Sequence, residues 1–109
     1  METFGYENIT PGALKSRLDA GERPILLDVR EPWEFELARI EGSELIPMSQ
    51  LEARFTELDP GAETVVICHH GNRSSYVAAA LRRVGFERVF NLEGGLDAYS
   101  DVDQSVPRY

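Results

Sequence analysis

Short apolar runs alternate with helix-forming segments along this chain, and no other feature constrains its fold so tightly. Pro24-Ile25-Leu26-Leu27 is apolar without a break and runs into Asp28-Val29-Arg30. Thr64-Val65-Val66-Ile67 is denser still in β-branched residues. A strand with one wet face alternates polar and apolar residues, whereas a continuous run suits a strand covered on both faces, as in a parallel sheet. Glu44-Leu45-Ile46-Pro47 and Arg88-Val89-Phe90-Asn91-Leu92 read as further strands. Between them lie helical signals. Thr10 can cap a helix that begins at Pro11, carries Leu14 and Leu18, and ends at Gly21. Glu31 to Ala38 reads as a second helix, with Trp33 and Leu37 one turn apart and Trp33, Phe35 and Phe86 assigned to the core. Ser49 and Glu52 stand at capping-box spacing ahead of Phe55 and Leu58. A longer helix starts near Ser74, with Val77, Leu81 and Val84 as its buried stripe, Ala80 alongside, and Gly85 at its end. Gly94-Gly95 forms a turn before a short helix from Leu96 to Tyr99. The expected architecture is α/β: a mostly parallel sheet with helices on both faces, binding its ligand at the carboxyl ends of the strands.

The 109 residues fit one domain, with its core at about residues 5–100 and an irregular acidic surface strap at 101–109. A formal net charge of −8 repels nucleic acid and anionic membranes, so neither is an expected partner. Met1 to Glu7 has no basic start or apolar stretch, and no run approaches membrane-span length. A reducing cytoplasm is the expected compartment. The single cysteine excludes an intrachain disulfide and a cysteine-rich zinc site.

That cysteine opens the segment Cys68-His69-His70-Gly71-Asn72-Arg73-Ser74, which joins a buried strand to a helix. A lone cysteine at a strand end is often a small buried hydrophobe. The polar loop after it points elsewhere. If backbone N–H groups converge there, they form an anion nest to which the helix dipole adds positive potential. A thiol in such a place favours its thiolate, the form that attacks sulfur. Gly71 gives the loop conformational freedom and Arg73 a permanent positive charge. His69 and His70 invite a metal, but adjacent residues rarely point at one ion. No other histidine or cysteine completes a site, and nothing places a carboxylate nearby, so neither metal nor other cofactor is expected.

The stretch from Ile67 to Ser74 closely resembles the active-site loop of rhodanese-like domains. Leu27-Asp28-Val29-Arg30-Glu31-Pro32-Trp33-Glu34-Phe35 is similar to that family's early Asp-Val-Arg element. Gly85-Phe86 and Asn91-Leu92-Glu93-Gly94-Gly95-Leu96-Asp97-Ala98-Tyr99 resemble its closing strand, double glycine and short helix. The resemblance implies a five-stranded, largely parallel sheet and a sulfurtransferase. Cys68 would take sulfane sulfur from a small anion such as thiosulfate, or from a persulfide, and pass it to a thiol, cyanide or a sulfur-carrier protein. His69, His70, Gly71, Asn72, Arg73 and Ser74 would form the substrate-binding loop, with backbone amides cradling the persulfide and Arg73 holding the loop or the anion. Asp28 and Arg30 would support the loop as an ion pair.

Two departures from the family pattern stand out. Arg39-Ile40-Glu41-Gly42-Ser43 occupies the place of a Gly-His-Ile segment and lacks its histidine. The two residues after Cys68 are histidines, where several strongly thiosulfate-active members carry a permanently charged residue. Histidine is largely neutral at pH 7, which weakens attraction for a dianion. The rival expectations are a partner-binding or persulfide-sensing module without catalysis, and a phosphatase. Phosphatases of related fold use Cys-x5-Arg loops, one residue longer than the Cys68–Arg73 spacing. The expected assembly is a monomer or weak homodimer.

Overall fold

The computed structural model describes residues 5–109; Met1 to Phe4, where the absence of a leader was read, lie outside the described residues. Five strands form one sheet: β1 (Glu7–Ile9), β2 (Ile25–Asp28), β3 (Glu44–Leu45), β4 (Thr64–Ile67) and β5 (Val89–Leu92). Their spatial order is β1-β5-β4-β2-β3, and every neighbouring pair is parallel. The helices are α1 (Pro11–Asp19), α2 (Pro32–Leu37), α3 (Leu51–Arg54), α4 (Asn72–Arg83) and α5 (Gly95–Tyr99). No helix among the described residues is long and apolar enough to cross a membrane.

Two of the three interior strands, β4 and β2, are the continuous apolar runs of the sequence. Because successive side chains in a strand point to opposite faces, each feeds two cores. Val65 and Ile67 join Leu14, Leu26, Leu92, Leu96 and Tyr99 on one side of the sheet. Val66 joins Leu27, Val77, Leu81 and Phe86 on the other. Cys68 continues the Val66 alternation, so β4 aims the thiol into the core beneath α4.

Local signals explain most helix ends. Thr10 Oγ1 accepts from the Ala13 N–H at 3.1 Å, Pro11 follows, and Gly21 closes the turn at φ +92°. Helix α4 starts at Asn72, two residues before the expected Ser74, because Gly71 at φ +100° turns the chain directly into it. The buried stripe of α4 includes Ser74, Val77, Ala78 and Leu81, while Val84 is exposed, contrary to expectation. The helix ends before Val84, and the Phe86 N–H bonds back to the Leu81 carbonyl at 3.0 Å, putting Phe86 in that place. The expected cap at Ser49 is also absent. Backbone bonds from Ile46 and Met48 to Asp28 and Val29 carry the chain along β2, so α3 begins only after a 3₁₀ turn at Met48–Gln50.

Helix α2 inverts the expected burial. Trp33 is 62% exposed and Leu37 also faces solvent, whereas Glu34 is buried. The cause is Arg30, the largest wholly buried side chain. Its Nε donates to Asp28 Oδ1 at 2.8 Å and its Nη2 to Asp28 Oδ2 at 2.7 Å. Nη2 also donates to the Ala38 carbonyl at 2.6 Å, and Nη1 to the Glu34 carbonyl and the Tyr109 hydroxyl at 3.3 and 2.8 Å. All five guanidinium N–H groups are thereby satisfied. This polar hub draws the Glu34 side of α2 inward and leaves the apolar pair outside. The 101–109 tail is irregular, as expected, but it contributes Val106 to the core and Tyr109 to the hub.

Arg30→Met leaves the Asp28 carboxylate buried without its partner. It should cost about 3–5 kcal/mol in urea denaturation. Arg30→Lys should recover little of this, since one ammonium cannot span five acceptor directions.

Candidate active site at the end of strand β4

Cys68 lies at the carboxyl end of β4, 1% exposed. Two donors face its sulfur. The Gly71 N–H donates to Sγ at 3.0 Å, and Ser74 Oγ lies 3.2 Å away, with the wholly buried Ser74 in the first turn of α4. Ser74 Oγ also reaches Asn91 Oδ1 on β5, and Asn91 Nδ2 donates to Asn8 Oδ1 on β1 at 3.3 Å. These donors and the start of a three-turn helix are placed to stabilise negative charge on sulfur. Asn72 is exposed, and its carbonyl accepts from the Ser75 hydroxyl at 2.8 Å.

Arg73 does not point freely at the mouth of the loop. Its Nη1 and Nη2 donate to Glu34 Oε1 and Oε2 at 2.8 and 3.0 Å. Glu34 Oε1 also accepts from the Glu31 N–H at 3.0 Å, and Oε2 from the Tyr109 hydroxyl at 2.8 Å. That hydroxyl in turn accepts from Arg30. A continuous polar chain therefore runs Asp28–Arg30–Tyr109–Glu34–Arg73 beneath the loop. The Arg73 pair, opposed by burial, holds the Glu34 carboxyl down at about 2, and Arg73 is correspondingly raised. Burial pushes the Tyr109 phenol up to about 12.

The histidines form a stack. The His69 and His70 ring centroids lie 4.0 Å apart, and Tyr109 covers His69 at 4.3 Å and 17°. Burial, with the neighbouring His70, lowers the pKa of His69 below that of a free imidazole. Helix α5 is fastened to the same loop: the Leu96 N–H donates to the Cys68 carbonyl at 2.8 Å and the Asp97 N–H to the His69 carbonyl at 3.0 Å. Gly95 permits this approach, since a Cβ there would sit 2.4 Å from the His69 oxygen. The expectation that no carboxylate lies near the histidines is overturned. Asp97 Oδ2 is 3.9 Å from His70 Nε2, because α5 docks on the loop.

The structure thus brings Cys68, His69, His70, Gly71, Arg73 and Ser74 together, with Asp28 and Arg30 one layer behind. Sequence reasoning gave no role to Glu34, Asn91, Asp97 or Tyr109. Glu34 sits three positions beyond Glu31 at a helix start, a spacing that could have marked it as a cap. Its pairing with Arg73 had no local signal.

Comparison with known proteins identifies the family of the chain. The family model described as "Rhodanese-like domain" matches residues 10–101. The thiosulfate sulfurtransferase GlpE of Pseudomonas fluorescens is 33% identical over 94 residues, covering 86% of this chain and 84% of that protein. The rhodanese-like/PpiC domain-containing protein 12 of Arabidopsis thaliana is 42% identical over 89 residues, covering 77% of this chain and 30% of that protein. This chain spans under a third of the length of that larger relative. The solved structure of a rhodanese-related protein from Thermoplasma volcanium superposes with a TM-score of 0.82 at 32% identity, covering 95% of this chain and all of that one. This chain belongs to the rhodanese-like domain family.

Two outcomes follow from the geometry. Glu34 binds its proton less readily in the fold than when unfolded. Its contribution is therefore complete above the ordinary carboxylate range near 4.5 and is lost as pH falls toward about 2. Glu34→Gln should lower stability at neutral pH by about 2 kcal/mol and flatten that acid limb in denaturation curves. Gly95→Ala should cost about 2 kcal/mol or more in thermal unfolding, since α5 must lift off the loop.

Proposed function

We propose that this rhodanese-like chain is a sulfurtransferase that carries sulfane sulfur on Cys68. The observation that carries the reading is the paired Gly71 N–H and Ser74 hydroxyl around a single buried sulfur at the end of β4. In the first half-reaction the Cys68 thiolate attacks the outer sulfur of a donor. The donor's S–S bond breaks, its remaining part leaves with the electron pair, and Cys68 becomes a persulfide. In the second, cyanide or an acceptor thiolate, on a small molecule or a sulfur-carrier protein, attacks the outer sulfur; the persulfide S–S bond breaks and Cys68 leaves as its thiolate. Each half displaces sulfur with no net change in charge at the site, which suits a fixed backbone donor such as the Gly71 N–H. A reducing compartment, which keeps the thiol free, fits this cycle.

The charges at the loop bear on the donor. Arg73 is bound to Glu34 through both terminal nitrogens, and His69 is held toward its neutral form. Little uncompensated positive charge faces an incoming dianion, so a low-molecular-weight persulfide is the favoured donor over thiosulfate. The GlpE relative, by its name, uses thiosulfate.

The mass of the intact reduced protein after exposure to glutathione persulfide, and separately to thiosulfate, tests this reading. A gain of about 32 Da is expected, faster with the persulfide, reversed by cyanide or excess thiol and absent in Cys68→Ser. No gain from either donor, with the protein folded, would replace this reading with a partner-binding module.

A further inference from the structure

We propose that His69, His70 and Asp97 form a binding site for a divalent transition cation of the zinc type at the rim of the Cys68 loop. Each residue offers one ligand atom, and the three atoms lie within 4.8 Å of one another. This is the only such cluster among the described residues. The donor set, two imidazoles and a carboxylate, matches the three-ligand sites that leave a fourth position open on zinc. Calcium and magnesium prefer all-oxygen shells and are not favoured by it.

A second observation points to a ligand independently. His69 Nε2 is buried and has no hydrogen-bond partner among the described residues. Buried polar atoms are almost always satisfied, so an orphaned ring nitrogen beside a carboxylate and a second imidazole needs an account. Coordination through Nε2 supplies one.

The frame around the cluster is rigid where it must be and mobile where it must adjust. Tyr109 stacks under the His69 ring, and the backbone bond from Asp97 to the His69 carbonyl fixes the carboxylate's origin. Tetrahedral zinc, with bonds of about 2.0–2.2 Å, wants its ligand atoms about 3.4 Å apart, so the cluster must contract by roughly an ångström. The His70 side chain, 61% exposed, and the partly exposed Asp97 can turn to do so. Asp97 Oδ1 also faces Arg108 Nη1 at 3.6 Å, but Arg108 has a closer partner in Asp101 and can yield. The net charge of −8 favours cation entry.

A cation held there stands over the loop that carries Cys68. Its consequence for activity, reversible inhibition of sulfur loading, rests on the proposed sulfurtransferase reading; the site itself does not. Binding is therefore measured in Cys68→Ser, which has no thiol either to react or to ligate. Zn²⁺ titrated into this protein, in competition with a chromophoric chelator, should bind one equivalent. Adding His70→Ala or Asp97→Asn to Cys68→Ser should weaken binding about tenfold or more. His70 is exposed and Asp97 partly so, and circular dichroism of each variant verifies the fold. Absence of zinc binding by Cys68→Ser, or binding unaltered by both further substitutions, would overturn the site. Persulfide loading of the wild-type protein is read separately, so failure of one conclusion leaves the other standing.

Discussion

The wholly buried ion pair of Asp28 and Arg30 is the constraint around which this molecule is arranged. A buried guanidinium is tolerable only if its donors are all met, and here they are met by three parts of the chain. Asp28 comes from the end of β2, the Glu34 and Ala38 carbonyls from α2 and the turn after it, and the Tyr109 hydroxyl from the tail. The pair stabilises little by itself relative to an apolar core. What it contributes is geometry: it fixes where α2 lies, and thereby where Glu34 meets Arg73.

Chemistry at the cysteine is built on that geometry in two layers. Glu34 anchors the far end of the loop through Arg73, while α5 anchors the near end through the Cys68 and His69 carbonyls. Between these anchors the Gly71 amide and Ser74 hydroxyl are left facing the sulfur. Ser74 has one hydroxyl hydrogen and two acceptors in reach, Cys68 Sγ and Asn91 Oδ1. It can serve only one at a time, so its orientation is tied to whether the sulfur carries charge or a proton of its own.

How much of this was legible in sequence differs by element for physical reasons. The interior strands β2 and β4 announce themselves because both faces are covered, and Cys68 is readable because it ends one of them before a glycine-containing loop. Strand β1 went unread: Glu7-Asn8-Ile9 lies at the sheet edge and buries only Ile9, so it leaves no pattern. Trp33 was assigned to the core on hydrophobicity alone, which takes no account of a polar hub that claims the inner face of α2. The partners of Arg73 and Arg30, at separations of 39 and 79 residues, leave no local periodicity to detect. The family resemblance located Asp28 and Arg30, but only coordinates connect them to Tyr109.

That last connection bears on the order in which the molecule can be made. A chain emerging from the ribosome presents residue 30 long before residue 109, and domains tend to organise from the amino-terminal side as they appear. Until Tyr109 arrives, Nη1 of Arg30 and Oε2 of Glu34 each lack a partner that they have in the finished protein. Closure of the sheet over an incompletely satisfied guanidinium is penalised, so final consolidation of the interior waits until the segment carrying Tyr109 has emerged. The cysteine loop, which leans on Glu34, matures last, when nearly all of the chain that will shelter its sulfur is already in place.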